Sequence, residues 1–176
     1  LHGEGQEMTD EDAAKAMEIF RRELATFLRE GNIPLSRVWN ADQTGLYYRK
    51  LPDRIYVDKD RKNSVRGVKA MKDKSRITIM VCISAEGEKA PLSVVGKPVS
   101  PECFRLLNNR NKPPLAYTHQ GNAWFDREVT VWWINHVFWP HAKRVHGEVQ
   151  VVLLLDNCPA HVGIDPKKLP SLGKLI

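Results

Sequence analysis

The sequence predicts an α/β fold with a mixed sheet, and three features predict it. Residues 76–84 set Ile77, Ile79, Val81 and Ile83 in alternation with Thr78, Met80 and Cys82, and residues 91–95 return after a turn, a hairpin pattern. A helix-period stretch carrying Trp132, Trp133 and Trp139 follows. Then Val151-Val152-Leu153-Leu154-Leu155 is apolar without alternation, as in a strand covered on both faces. An antiparallel meander, a helical crossover and a parallel strand make a mixed sheet flanked by helices.

The first element is a helix over residues 9–30. Ala13, Met17, Phe20, Leu24 and Phe27 recur at helical spacing, with Leu28 beside them. Thr9 is placed to cap it, with Asp12 three residues on, and Gly31 and Pro34 end it. The apolar stripe reads as core or as a face for a partner helix. Residues 37–45 read as a short strand running into a turn. Residues 49–75 are polar and charged, with one strand-like piece at 55–57. The hairpin turns at 85–88. A Pro- and Asn-containing loop is expected over 97–122. Asp126 caps the Trp-rich helix, which Pro140 should break, kink or restart. There is no internal repeat.

Composition narrows the class. Of 176 residues, 42% are hydrophobic, enough for a core and against disorder. The acidic first twelve residues contain no apolar segment of signal-peptide type. No apolar run approaches the ~18 residues of a membrane span, so no membrane association is expected. Cys82, Cys103 and Cys158 are odd in number, widely spaced and without a CxxC pair, which argues against a disulfide framework or zinc ribbon and for a reducing compartment. The chain starts at Leu1 and stops in an apolar segment at Ile176, and it reads as a fragment.

Charge is unevenly distributed. Residues 1–31 hold eight acids and four bases, a net −4. Residues 49–76 hold eleven bases and four acids, a net +7, which is more than the whole chain's +6. Such a stretch suits a polyanion, of which nucleic acid is the commonest, and it equally suits a solvated loop surface.

Asp156 is the sharpest chemical candidate, because it ends an apolar strand and ligands gather at the carboxyl ends of strands in α/β sheets. A turn or helix-cap role is the structural alternative. Asp42 is the second candidate, set among the turn-forming residues Asn40 and Gly45. The two lie 114 residues apart, so they share a metal only if their strands are neighbours. Paired carboxylates suit Mg²⁺ or Mn²⁺, and two such ions can activate water and stabilise a leaving oxygen in phosphodiester cleavage. His161 is placed for substrate contact or support of a metal ligand, or is an ordinary capping histidine. Cys158 reads as a small structural residue, with no base assigned to it. No Walker loop, GxGxxG or GxSxG occurs.

Asn40-Ala41-Asp42-Gln43-Thr44-Gly45, followed far downstream by Leu153-Leu154-Leu155-Asp156-Asn157-Cys158-Pro159-Ala160-His161, resembles the DDE superfamily endonuclease domain of pogo/Tigger-type transposases, the group that includes CENP-B and jerky-like proteins. Lys72 to Thr78, Pro91 to Lys97 and the Trp133 helix ending at Trp139-Pro140 fit in the same order. The resemblance covers roughly residues 20–165 and implies an RNase H-like fold with its first strand beside its fourth. It implies Asp42 and Asp156 as catalytic metal ligands for Mg²⁺ or Mn²⁺, with Asn157 and His161 in support. The implied reaction is two-metal DNA cleavage and strand transfer in the nucleus, with copies assembling on DNA.

A third acid of the family falls roughly 30–35 residues past Asp156, beyond Ile176, and Asp165 is too close to serve. A fifth strand would only be starting at residues 174–176. Residues 1–34 then form an N-terminal helix and linker, and residues 35–176 a partial DDE core. Loss of cover is expected to expose apolar surface around residues 151–155. Lys59, Arg61, Lys62, Arg66, Lys69 and Lys72 are the expected DNA contacts. The alternative is a domesticated, non-catalytic DNA-binding or chromatin-associated protein, and a weaker one is a degenerate remnant.

Overall fold

The computed structural model describes residues 9–48, 75–105, 115–170 and the backbone of 173–175. The strand-like piece expected at 55–57 lies outside the described residues. The described strands form one sheet in the order β4-β3-β2-β1-β5-β6. They are β1 (Val38–Leu46), β2 (Ile77–Ser84), β3 (Ser93–Gly96), β4 (Ala116–His119), β5 (Val151–Leu154) and β6 (Gly173–Leu175). β1, β2 and β3 are antiparallel neighbours, while β5 runs parallel to β1 and β6 parallel to β5. This is the mixed, RNase H-like sheet that was expected. The expected fourth strand is β5, because β4, parallel to β3, intervenes in the chain. β4 was not anticipated: residues 97–122 read as loop, and four residues pairing at an edge leave little periodicity to detect.

One further boundary differs from expectation. β1 is a nine-residue strand that does not turn at Asn40 or Asp42. Eight of its nine residues pair with β2, from Trp39 against Ser84 to Leu46 against Ile77. Backbone pairing over eight positions outweighs the local turn preference of Asn, Asp and Gly. Pro140 stands in the first turn of a new helix, one of the outcomes expected of it. α2 (Arg127–Trp133) passes through a π-helical turn, Ile134–Phe138, into α3 (Trp139–His146). Proline lacks the N–H that would close an α-turn, and the wider turn absorbs that loss. Side chains take up nearby carbonyls: Asn135 Nδ2 donates to Val131 O at 2.9 Å and Lys168 O at 2.8 Å.

The main core lies between the sheet and this helix. Trp39, Ala41, Met80, Cys82 and Val95 face Val129, Trp133, Val137 and Phe138, all buried. Trp39 meets Phe138 edge-on at 5.8 Å between ring centres. Burial pushes the Cys82 thiol up to about 12, so it stays protonated in the core. On the other face, α1 (Asp10–Glu30) starts at Thr9, whose Oγ1 accepts from Asp12 N at 3.2 Å. Gly31 follows its last turn with an ordinary right-handed backbone, and the left-handed residue is Asn32. Only Leu24, Phe27 and Leu28 of α1 reach the small cluster of Ile33, Val38, Val152 and Leu154. Met17, Ile19 and Phe20 remain exposed. The exposure expected around residues 151–155 does not occur: Val151, Val152 and Leu153 are buried, covered by helices on both faces. On this face of the sheet, Val81 and Ile83 of β2 are exposed instead.

Candidate functional site

The parallel pairing of β1 and β5 sets the site. Val38 lies opposite Val152, Trp39 opposite Leu153, and Asn40 opposite Leu154. Each pair is 114 residues apart, the separation of Asp42 and Asp156. Two residues beyond the last paired position on each strand stand these two acids. Side chains alternate faces along β1, so Trp39 and Ala41 enter the main core while Asp42 shares the face of Val38. Both Asp42 and Asp156 are exposed, with no apolar cover to compete for their oxygens. Asp42 Oδ1 accepts the Gln43 N–H at 2.7 Å.

Asp156 opens a tight turn that returns on itself. His161 Nδ1 lies 2.5 Å from Asp156 Oδ1 and 3.2 Å from its carbonyl oxygen. The imidazole side chain is 2% exposed while Asp156 is 58% exposed, so a buried ring holds one oxygen of a solvent-facing carboxylate. Nδ1 faces Asp156, and Nε2 is buried without a hydrogen-bond partner. His161 N donates to Cys158 O at 2.9 Å, closing the turn. Arg127, the first residue of α2, donates through Nε to Val162 O at 3.0 Å and reaches Pro159 O at 3.5 Å. Asn157 is exposed beside Asp156.

Cys158 lies in the same turn, and its carbonyl accepts from His161 N. Gln43 Nε2 approaches its Sγ at 3.6 Å, and Asp156, Cys158 and His161 each offer a donor atom within 4.8 Å of the others. Among the described residues this is the one such group of three His, Cys or acidic side chains. Burial raises the Cys158 thiol above its ordinary value, and Asp156 adds to this, while the N–H groups of Ala160 and His161 pull it down. Gln43 and Arg127 were not singled out from the sequence. Gln43 has no local signal. Arg127 had one: a base in the first turn opposes the helix dipole and calls for a tertiary partner.

The expected DNA contacts Lys59, Arg61, Lys62, Arg66, Lys69 and Lys72 lie outside the described residues. Arg76, at the end of the same basic stretch, is engaged within the fold. It donates to Thr78 Oγ1 at 2.7 Å, and its guanidinium sits 3.9 Å from the centre of the Trp124 ring. An apolar cleft beside β3 and β4 is lined by Tyr48, Phe104 and Tyr117 with Arg76 and Lys97, and neither Asp42 nor Asp156 borders it. Asp165 accepts from Lys167 N at 3.0 Å, a capping role. Among the described residues, no helix is long and apolar enough to cross a membrane.

The DDE superfamily endonuclease family model matches residues 74–170, more than half of the chain. The human Jerky protein homolog is 35% identical over 164 residues, covering 89% of this chain and 27% of that protein. The human Tigger transposable element-derived protein 7 is 28% identical, covering 82% and 27%. CENP-B homolog protein 2 of Schizosaccharomyces pombe is 30% identical, covering 70% and 22%. This chain thus spans 27% of the length of the first two relatives. A solved structure, the Mos1 transposase paired-end complex with left transposon end, aligns over 88% of this chain and 38% of that one, with a TM-score of 0.48 and 13% identity. The family match and the order of the two aspartate motifs agree, and the chain belongs to the DDE superfamily endonucleases, in the pogo/Tigger-type group.

Proposed function

We propose that this chain supplies two carboxylates, Asp42 and Asp156, to a metal-dependent DNA cleavage and strand-transfer centre. The observation that carries this reading is the β1–β5 register: the parallel pairing ends with Asn40 opposite Leu154, and two residues further along each segment stand the exposed acids Asp42 and Asp156. The donor set fits hard divalent cations, because carboxylate oxygens open to water are what Mg²⁺ and Mn²⁺ take. Such ions, when bound, supply Lewis-acid activation of a water or hydroxyl nucleophile and of the leaving oxygen of a phosphodiester.

The chain's own residues hold the arrangement. Asp42 is fixed by eight paired positions of β1 against β2. Asp156 is oriented by His161, which engages Oδ1 and leaves the other oxygen for a ligand. Arg127 braces the returning turn against α2. Asn157, exposed beside Asp156, is assigned to substrate contact. The basic stretch over 49–76 supplies phosphate contacts, with a nuclear location and assembly of several copies on DNA as parts of the same reading.

The test is nicking of supercoiled DNA with Mg²⁺ or Mn²⁺ by a longer protein that contains this segment. Asp42→Asn and Asp156→Asn should each lower cutting by at least about a thousandfold, roughly 4 kcal/mol of barrier, without changing the circular dichroism. Retained cutting in either variant overturns the assignment. A second reading, DNA binding without cleavage, draws on the net +7 of residues 49–76. It expects metal-independent, strongly salt-dependent binding that falls when Lys59, Arg61, Lys62 and Arg66 are replaced.

A further inference from the structure

We propose that the cleft beside β3 and β4 binds a nucleotide, with its unpaired base against aromatic rings and its phosphate on Lys97. The cleft holds about 600 Å³, within the range of small-ligand sites. Tyr48, Phe104 and Tyr117 supply its rings, and Arg76 and Lys97 its cations. Tyr48 and Lys97 are both exposed. The acid on its wall, Glu102, is taken up by Arg105 at 2.5 Å. Planar rings beside a cation suit a base joined to a phosphate, since stacking takes the base and the ammonium takes the charge.

The wall of β3 and β4 is already built. Tyr117 lies over Gly96, where a Cβ would fall 2.5 Å from its hydroxyl oxygen, so glycine is what admits the ring. The hydroxyl donates to Pro98 O at 2.6 Å, and Phe104 meets the ring edge-on at 5.1 Å. Burial, then Cys103 and Tyr48, hold that hydroxyl above the ordinary tyrosine value, which keeps it a donor. Position favours DNA as the source of the nucleotide. Asp42 lies opposite Val81, so Ile79 and Ile77 share its face of the sheet. Val94 lies opposite Ile79, and Tyr117 opposite Val94. Val94, Ile77 and Tyr117 line the cleft, which therefore opens on the face that carries Asp42. Two strand spacings and two residues separate Asp42 from Val94, about 12 Å. That is about three or four base steps along a strand. A strand as occupant rests on the DNA reading above, though not on cleavage by the aspartates.

The experiment is binding of the 176-residue chain, in EDTA, to short end-labelled single strands, read by fluorescence anisotropy. One strand is thymidine throughout, and the other is abasic throughout with the same phosphates. The thymidine strand should bind at least about fivefold more tightly. Replacing Tyr48 and Phe104 together by alanine should remove that preference, with circular dichroism to establish that the variant is folded. Tyr48 is exposed and Phe104 is half-buried, so neither change empties the main core. Lys97→Ala should weaken both strands and lower the salt dependence. Free dTMP that displaces the thymidine strand assigns the cleft to a mononucleotide, and dTMP without effect assigns it to a base presented by a strand. Equal affinity for the two strands, or a folded double variant that keeps the full preference, overturns the proposal. Because EDTA removes divalent cations, either result leaves the cleavage reading to its own nicking test.

Discussion

The two faces of the sheet are built to different standards. One carries Trp39, Met80 and Val95 under Trp133, Val137 and Phe138, a continuous and nearly dry layer. The other meets only the last turns of α1, at Val38, Val152 and Leu154, and leaves Val81 and Ile83 in water. Asp42 stands on this second face, beyond the reach of α1. A carboxylate there keeps its hydration and its freedom to bind a cation, which burial would remove. Buried packing is concentrated on the covered face, and the bare one carries the carboxylate that the proposed function uses.

That contrast is broken most directly at Trp133. Its side chain is fully buried and stacks on Phe138 at 5.6 Å. Trp133→Ala should cost about 3–5 kcal/mol, much of a small domain's stability, seen as a large fall in the urea midpoint.

A smaller loss should follow acidification. His141 lies edge-on to Trp39 at 5.6 Å, and burial first, then Arg144 and His146, hold it below the ordinary histidine value, against the pull of Glu88. A histidine lowered in the folded state is protonated more readily when unfolded. Its contribution is complete above about pH 6.5 and is lost as pH falls through the lowered folded value. Urea unfolding at pH 7.5 and 5 should show this fall, and His141→Gln should flatten it.

On the open face, Thr9→Ala removes the α1 cap and should cost about 1 kcal/mol locally. Because α1 is anchored only at its far end, the loss should appear as faster amide exchange in its first turns, with the global midpoint nearly unchanged. The smallest effect belongs to Ile83→Thr, which should stay within about 0.5 kcal/mol and improve solubility. A large loss there would mean that the face is covered in solution.

Much of this was legible in advance where the signal is local. The Thr9 cap, the hairpin of β2 and β3, the Asp126 cap and the unalternating β5 each rest on neighbouring residues. Asp156 was expected at the strand's end and stands two residues past it. The errors arose where tertiary pairing overrides local preference: a turn read at Asn40–Asp42 and β4 read as loop. His161 and Cys158 were each noted, but only the closed turn brings them to one carboxylate.

By itself, the sequence determined the kinds and order of most elements, the two aspartate motifs and the uneven charge. Caps, periodicities and motifs involve residues within a few positions of each other, so the chain states them directly. The tertiary structure alone decided the register of β1 on β5, with Val38 opposite Val152 and Asn40 opposite Leu154. It also decided which sheet face stays bare, and that Gln43 and Arg127 close on the turn after β5. These depend on contacts across dozens of residues. Their free energy is set by the packing of Trp39 and Trp133 between sheet and helix, which no local window contains.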